Sequence, residues 1–320
     1  MGEDWRPGSD KKTLRLRAAM LARARAFFAT RSLLEVETPV IGANTVSDLH
    51  IDSLATRLAG HETGFYLQTS PEYHMKRLLA AGSGDIFQVC RVFRDGEAGR
   101  RHNPEFTMIE WYRLAMTYLD LAREVCELLA VLVERPALAE PEFVEYADAF
   151  ERFAGTGAGD PVERKLLAAL VEQGVAVPDR ASGAALQDFV FSTLVAPRLG
   201  HEKPTVIYNY PAGQAALARL CPDDSGKAER FEVFCQGMEL ANGFQELTDP
   251  VEQQQRFSHD VERRGRAARP AIAIDRRLIA ALTQGLPACS GVALGFDRVV
   301  MLAAGSNDIA EVMAFNIARA

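Results

Sequence analysis

At 320 residues the chain is long enough for one large α/β domain or two small ones. It is 48% apolar and 25% charged, as in an ordinary soluble globular protein, and no apolar run approaches the roughly 18 residues of a transmembrane helix. The net charge of −7 argues weakly against a chain whose main task is to grip nucleic acid, although Lys11–Lys12, Arg100–Arg101 and Arg263–Arg269 are local basic clusters.

The opening residues 1–11 are polar and mixed in charge, with no apolar core of a secretory signal, and are expected to be flexible. From Lys11 to Thr30 the pattern predicts a helix, with Leu14, Leu21, Ala24 and Phe28 on one stripe. A short strand, Leu33 to Thr38, follows and ends at Pro39. Residues 41–66 carry no regular signal. Ser70 is a suitable N-cap, Pro71 suits the first helical position and Gly82 suits the helix end.

Phe87 to Arg94 is aromatic and β-branched and predicts a strand. Glu105 to Tyr112 alternates, so that Phe106, Met108, Glu110 and Tyr112 share one face and Glu105, Thr107, Ile109 and Trp111 the other. The linker holds Gly96, Gly99, Asn103 and Pro104, all turn formers, together with Arg100, Arg101 and His102. Such a hairpin would set a carboxylate and a phenol on one face beside an arginine-rich loop suited to a polyanion. An ordinary amphipathic hairpin with a solvated loop has the same pattern.

Residues 113–200 read as helical: one helix from Leu114 to Val133, a proline- and glycine-rich stretch over 137–162, then helices near Val162–Gln173 and Ala184–Ala196. Thr205 to Tyr210 predicts a strand, and Phe231 to Leu240 a hairpin turning at Gln236–Gly237. Ala241 to Glu246 is expected to lead into a helix capped by Asp249, Pro250 and Glu252 and running to about Arg266. A small-residue strand from about Pro287 enters a last helix at Gly295, with Arg298 in its first turn and Gly305 at its end. An anion there would be held by the helix N-terminus and the arginine together; a solvated arginine is the plainer alternative. The five cysteines are odd in number and contain no C-x-x-C pair, which fits reduced thiols and a cytoplasmic location.

Three segments carry a resemblance. Phe93-Arg94 followed by R-H-N-P-E-F is similar to motif 2 of the class II aminoacyl-tRNA synthetases in its lysine-type form. G-V-A-L-G-F-D-R resembles their motif 3, and the long helix, strand and Pro39 resemble motif 1, which builds the dimer interface. The resemblance implies an α+β fold: a class II catalytic domain over residues 12–320, mainly an antiparallel sheet flanked by helices, with 137–200 as a helical connector. It also implies an ATP- and Mg²⁺-dependent enzyme. Arg94 would hold the α-phosphate and Arg298 the γ-phosphate, with adenine stacked between Phe106 and the Arg298 guanidinium. Asp95, Gly96, Asn103, Leu240 and Gly295 complete the implied ATP contacts, and Glu239 and Glu246 the implied metal pair. Ser70, Pro71, Glu72, Glu110, Tyr112, Glu246 and Ala293 would line the amino-acid pocket. With three glutamates, that pocket needs a cationic ligand such as lysine or β-lysine, or raised carboxylate pKa values.

Within the lysine-type group the chain looks like the short paralogues that lack an N-terminal OB-fold. Motif 1 begins near residue 14, Ser70 stands where the tRNA enzymes usually have alanine, and Ala293 where they have glycine. These paralogues activate (R)-β-lysine and transfer it to a lysine side chain of elongation factor P. The expected partners are therefore lysine or β-lysine, that factor and a second copy of the chain, with no membrane or DNA role and tRNA disfavoured. The alternatives are a minimal lysyl-type tRNA synthetase and a non-catalytic paralogue that only binds an amino acid or adenylate. One departure stands out: the family's F-R-N-E is F-R-D-G here, Phe93 to Gly96, with Glu97 one place later. Either Glu97 or backbone groups would then read the adenine.

Overall fold

The computed structural model describes residues 5–61, 63–155, 163–176 and 183–320. The expected turn-formers Gly157, Gly159 and Pro161 lie outside them. By contact density the chain divides into two compact units, Met1–Met116 with Val131–Val133 and Leu247–Ala320, and Thr117–Ala130 with Glu134–Glu246. No described helix is long and apolar enough to cross a membrane.

The first unit opens with α1 (Lys11–Thr30), capped by the Asp10 carboxylate, which accepts from the Thr13 amide at 2.7 Å. Its buried face is Met20, Ala24, Phe27 and Phe28. The expected stripe is therefore half right: Leu14 and Leu21 are only partly covered, because the contact face is centred about one residue further round the helix. The Gly8 amide donates to Ala314 O at 2.8 Å and Ser9 is buried. The strand expected over 33–38 shrinks to β1 (Leu34–Glu35). The stretch read as irregular contains a small sheet of β2 (Ile41–Gly42), β3 (Ala55–Thr56) and β4 (Phe65–Leu67), too short to leave a periodic trace in sequence.

Helix α2 (Glu72–Ala80) follows, then β5 (Ile86–Phe93) and β6 (Glu105–Leu114), antiparallel with Phe87 opposite Trp111 and Gln88 opposite Glu110. The alternation along β6 sorts its side chains as expected. On one face Trp111 and Phe87 pack against Phe28 of α1, with ring centroids 5.2 and 4.4 Å from it. The opposite face keeps Glu110 and Tyr112 for the site.

The second unit begins with α3 (Tyr118–Val133), shorter at its start than predicted because Thr117 caps it. The expected connector then holds a strand, β7 (Glu142–Glu145), as well as α4 (Tyr146–Ala154), α5 (Glu163–Glu172) and α6 (Gly183–Val190). β7 pairs in parallel with β8 (Thr205–Pro211), so the connector contributes to the sheet as well as covering it. Tyr146, Phe150, Phe191, Tyr210 and Phe234 form its aromatic core. The short β9 (Leu220–Cys221) and the long β10 (Asp224–Cys235) and β11 (Met238–Gln245) complete the unit. β10 and β11 turn at Gln236 and Gly237, both at positive φ (52° and 65°), a two-residue hairpin whose twist suits the strands. Ala241 to Gln245, expected to lead toward a helix, stays in β11, since its residues alternate buried and half-buried.

The chain returns to the first unit with α7 (Pro250–Arg266) and α8 (Arg276–Gly285). Asp249 caps α7 as expected, accepting from Val251 and Glu252, while the Glu252 carboxylate pairs with Arg256 instead of closing a capping box. β12 (Cys289–Gly295) pairs antiparallel with β6, and α9 (Phe296–Ala304) ends at Gly305 in the left-handed conformation, φ 68°. The parallel pairs are β1–β5 and β7–β8; the other named pairs are antiparallel, giving the α+β fold expected of the motifs.

Candidate active site

Glu110 is the centre of the first unit's polar face. It sits mid-strand on β6, flanked by Gln88 on β5 and by Ala293 on β12, its register partners on either side. Cross-strand partners present side chains on the same face, so the Ala293 methyl borders the carboxylate. Glu110 is 2% exposed, yet both its oxygens accept hydrogen bonds. Tyr112 OH donates to Oε1 at 2.7 Å, and Ser70 Oγ donates to Oε2 at 2.7 Å. Ser70 Oγ also accepts from the Glu72 amide at 2.9 Å. The N-cap of α2 is Pro71, one residue later than expected, and the serine just before it ties the start of that helix to Glu110.

One turn into α2, Lys76 Nζ donates to Glu72 Oε1 at 2.7 Å, with the lysine side chain 2% exposed and the glutamate 17%. A buried ammonium is tolerable only beside a carboxylate. Burial, and then the charge of Glu72, push the Glu110 carboxyl up to about 7; the hydrogen bonds from Ser70 and Tyr112 pull the other way. Ser70, Glu72, Glu110, Tyr112 and Ala293 therefore come together, and Lys76 joins them, a residue sequence reading passed over. Its i, i+4 spacing from Glu72 was the available signal.

The loop between β5 and β6 carries the arginines. Gly96 sits at φ 75°, a conformation only glycine adopts freely, so the turn itself favours a glycine there. Asp95 pairs with Asp52 through its backbone amide at 2.8 Å. The Arg94 guanidinium lies 5.2 Å over the Phe106 ring and 3.7 Å from Glu97, and its buried Nε has no hydrogen-bond partner. In this structure the cation over Phe106 is thus Arg94. Glu97 is engaged with that arginine. Arg298 instead reaches the far side of the loop, where its Nε donates to Arg101 O at 3.2 Å and its Nη2 to His102 Nε2 at 2.6 Å. Gly295 stands at the N-cap of α9. Asn103 is 5% exposed and bridges backbone groups, donating to Glu105 O at 2.6 Å and accepting from the Ile317 amide at 2.9 Å.

In the second unit Glu239 and Leu240 lie on β11, and Glu246, 2% exposed, follows it and bridges to Ala218. Sequence reading missed Glu232 on β10. Burial, and then the nearby charge of Glu239, push Glu232 up to about 7. Arg230 donates to Glu232 at 2.5 Å and Asn242, its register partner, at 3.3 Å. Glu232 and Glu239 lie on neighbouring strands of one hairpin, with Phe234 the register partner of Glu239. A buried carboxylate whose proton affinity is raised beside a second carboxylate is suited to a divalent cation, which would favour its charged form. Among the described residues no group of three or more histidine, cysteine, aspartate or glutamate side chains has metal-site geometry. A magnesium ion at Glu232 and Glu239 would take its remaining ligands from water or phosphate oxygens.

The family described as tRNA synthetases class II (D, K and N) matches residues 4–319. An elongation factor P–(R)-β-lysine ligase from Mannheimia succiniciproducens is 46% identical over 320 residues, covering 98% of this chain and 98% of that protein. Proteins of the same name from Salmonella dublin and Klebsiella pneumoniae are each 47% identical over 323 residues, covering 99% of this chain and 98% of theirs.

Proposed function

Because this chain belongs to the class II tRNA synthetases of the D, K and N type, we propose that it is an ATP- and Mg²⁺-dependent ligase that activates (R)-β-lysine, or lysine, and transfers it to a lysine side chain of elongation factor P. The observation that carries the reading is the Glu110 carboxylate. It is buried, oriented by Ser70 and Tyr112, and set near Glu72 beside the methyl of Ala293. An incoming ammonium favours the ionised form of a desolvated carboxylate of this kind, and a neutral ligand offers it no such partner, so the site favours an amine-bearing ligand.

In the first step the amino acid's carboxylate attacks the α-phosphorus of ATP; the bond to the bridging oxygen breaks and pyrophosphate leaves. Arg94 suits the α-phosphate, since a guanidinium can bind phosphate oxygens bidentately and its buried Nε has a donor to offer. Arg298, in the first turn of α9, suits the γ-phosphate. Magnesium, when bound at Glu239 with Glu232 or Glu246, supplies charge neutralisation on the phosphates. In the second step a lysine amine of the acceptor attacks the acyl carbon and AMP leaves. Glu72 is assigned to an amino group of the diamino acid, and Ala293 narrows the floor beneath it.

A homodimer through the motif 1 elements and a cytoplasmic location complete the proposal. Pyrophosphate exchange with ATP and each isomer of lysine and β-lysine tests it, followed by mass analysis of elongation factor P. Exchange with (R)-β-lysine and a β-lysyl adduct on the factor are expected. Charging of tRNA in the same mixture would move the acceptor to RNA, and no exchange with any diamino acid would reduce the protein to a binder.

A further inference from the structure

We propose that the C-terminal tail is a working part of the nucleotide site: the backbone amide of Ile317, through the Asn103 side chain, holds the arginine-bearing loop 94–104 in the shape that receives ATP. The proposal rests on the reading above that this loop binds the nucleotide.

Asn103 is buried at the end of the loop, and each end of its amide meets backbone. Nδ2 holds Glu105 O at the start of β6, and Oδ1 takes the Ile317 amide at 2.9 Å. The tail makes a second tie, from the Ile309 amide to Arg100 O at 2.8 Å. Arg298 then joins the same loop at Arg101 and His102. The loop is thus tethered at Arg100 and Asn103, between which lie the two residues that meet Arg298.

The tail is itself clasped. Gly8 N donates to Ala314 O at 2.8 Å and Arg319 Nη1 to Arg6 O at 3.0 Å. The two segments approach so closely that a Cβ on Gly8 would stand 2.7 Å from Ala310 O. Burial does not account for this docking at the tail's end, because Phe315 and Ile317 remain 49% and 56% exposed. Here hydrogen bonds to the loop and to the N-terminal segment fix it, so tail docking and loop order are coupled, and the coupling runs both ways. Asn103 and the Ile317 amide are positioning groups in this scheme: they act on ATP through the loop.

The decisive variants are Ile317→Pro, which deletes the amide donor, Ile317→Ala, the conservative change that keeps it, and Asn103→Ala, which removes the other partner. Pyrophosphate exchange is measured at varied ATP and varied diamino acid, with ATP binding by calorimetry and folding by thermal melting. Loss of one such bond is worth between about threefold and tenfold in an equilibrium constant. Ile317→Pro and Asn103→Ala should each raise the ATP KM and Kd by that factor and leave the diamino-acid KM within about twofold. Their double variant should be no worse than Asn103→Ala alone, and Ile317→Ala should retain wild-type ATP binding. Adding ATP should slow hydrogen exchange at residues 314–319 in the wild type. Equal ATP affinity in Ile317→Pro and wild type overturns the proposal, as do additive effects in the double variant or a matching rise in both KM values. If exchange fails with every diamino acid, the ligase reading falls, while calorimetry still decides whether the tail shapes an ATP site.

Discussion

Tyr112 stands two residues beyond Glu110 on the same strand, and its phenol donates to Glu110 Oε1 at 2.7 Å. The strand period makes the two neighbours on one face, and the Ser70 hydroxyl closes the other oxygen from α2. The carboxylate is thereby aimed before any ligand arrives.

Glu110→Gln keeps the volume and removes the charge. A hydrogen bond to a charged group is worth about 1.5–3 kcal/mol, so the KM for the diamino acid should rise roughly 10- to 100-fold. The ATP KM should stay near its wild-type value in the same pyrophosphate-exchange assay. An unchanged diamino-acid KM would remove Glu110 from the pocket.

Stability should fall with rising pH. Glu110 and Glu232 are each pushed from the ordinary 4.5 up to about 7, by burial first and a neighbouring glutamate second. Between those values the folded chain holds protons that the unfolded chain has released, so unfolding becomes easier as pH climbs, and the loss is complete just above 7. Thermal melts of the ligand-free protein from pH 5 to pH 8 should show a declining Tm, with a shallower slope in both Glu110→Gln and Glu232→Gln. A Tm that climbs over this window would contradict the assignment.

Magnesium should reverse part of that loss. A cation held beside Glu232 favours its ionised form, so added Mg²⁺ should raise Tm more at pH 8 than at pH 5.5, and removing the neighbouring ligand by Glu239→Gln should blunt the response. Chelation should abolish pyrophosphate exchange. A Tm indifferent to Mg²⁺ with ATP present would place the metal elsewhere.

Arg94→Lys tests the phosphate contact. Lysine keeps the charge and loses the planar fork, so kcat for pyrophosphate exchange should drop by about 100-fold while the diamino-acid KM holds. Loss of the diamino-acid affinity instead would mean that Arg94 organises the pocket and does not serve the nucleotide.

Gly200 supports the hairpin that carries Glu232 and Glu239. It sits at φ 74°, and a Cβ there would lie 2.3 Å from Phe234 O. Gly200→Ala combines left-handed strain with a backbone clash and should cost about 3 kcal/mol or more in urea unfolding. A loss below about 1 kcal/mol would show that the loop relaxes freely.

Local patterns in the sequence specify much of this protein. The alternation from Glu105 to Tyr112 put Trp111 against α1 and Glu110 with Tyr112 on the opposite face, because a strand's two-residue period is independent of what packs on it. The Gln236–Gly237 turn, the Asp249 cap and Gly305 at the end of α9 were equally legible, since each is decided by a few adjacent residues. The motifs named the family and with it Ser70, Glu72, Arg94 and Arg298. Tertiary structure alone decided the rest, and each case involves residues far apart in the chain. β7 became a strand because β8, sixty residues on, offered it a partner. Arg94 took the place over Phe106 while Arg298 turned to the loop backbone. Glu232 met Glu239 across a hairpin, and Asn103 found the Ile317 amide more than two hundred residues away. Hydrogen bonds and charge pairs are short-ranged in space and indifferent to sequence separation, so which donor meets which acceptor is settled only when the chain has closed on itself.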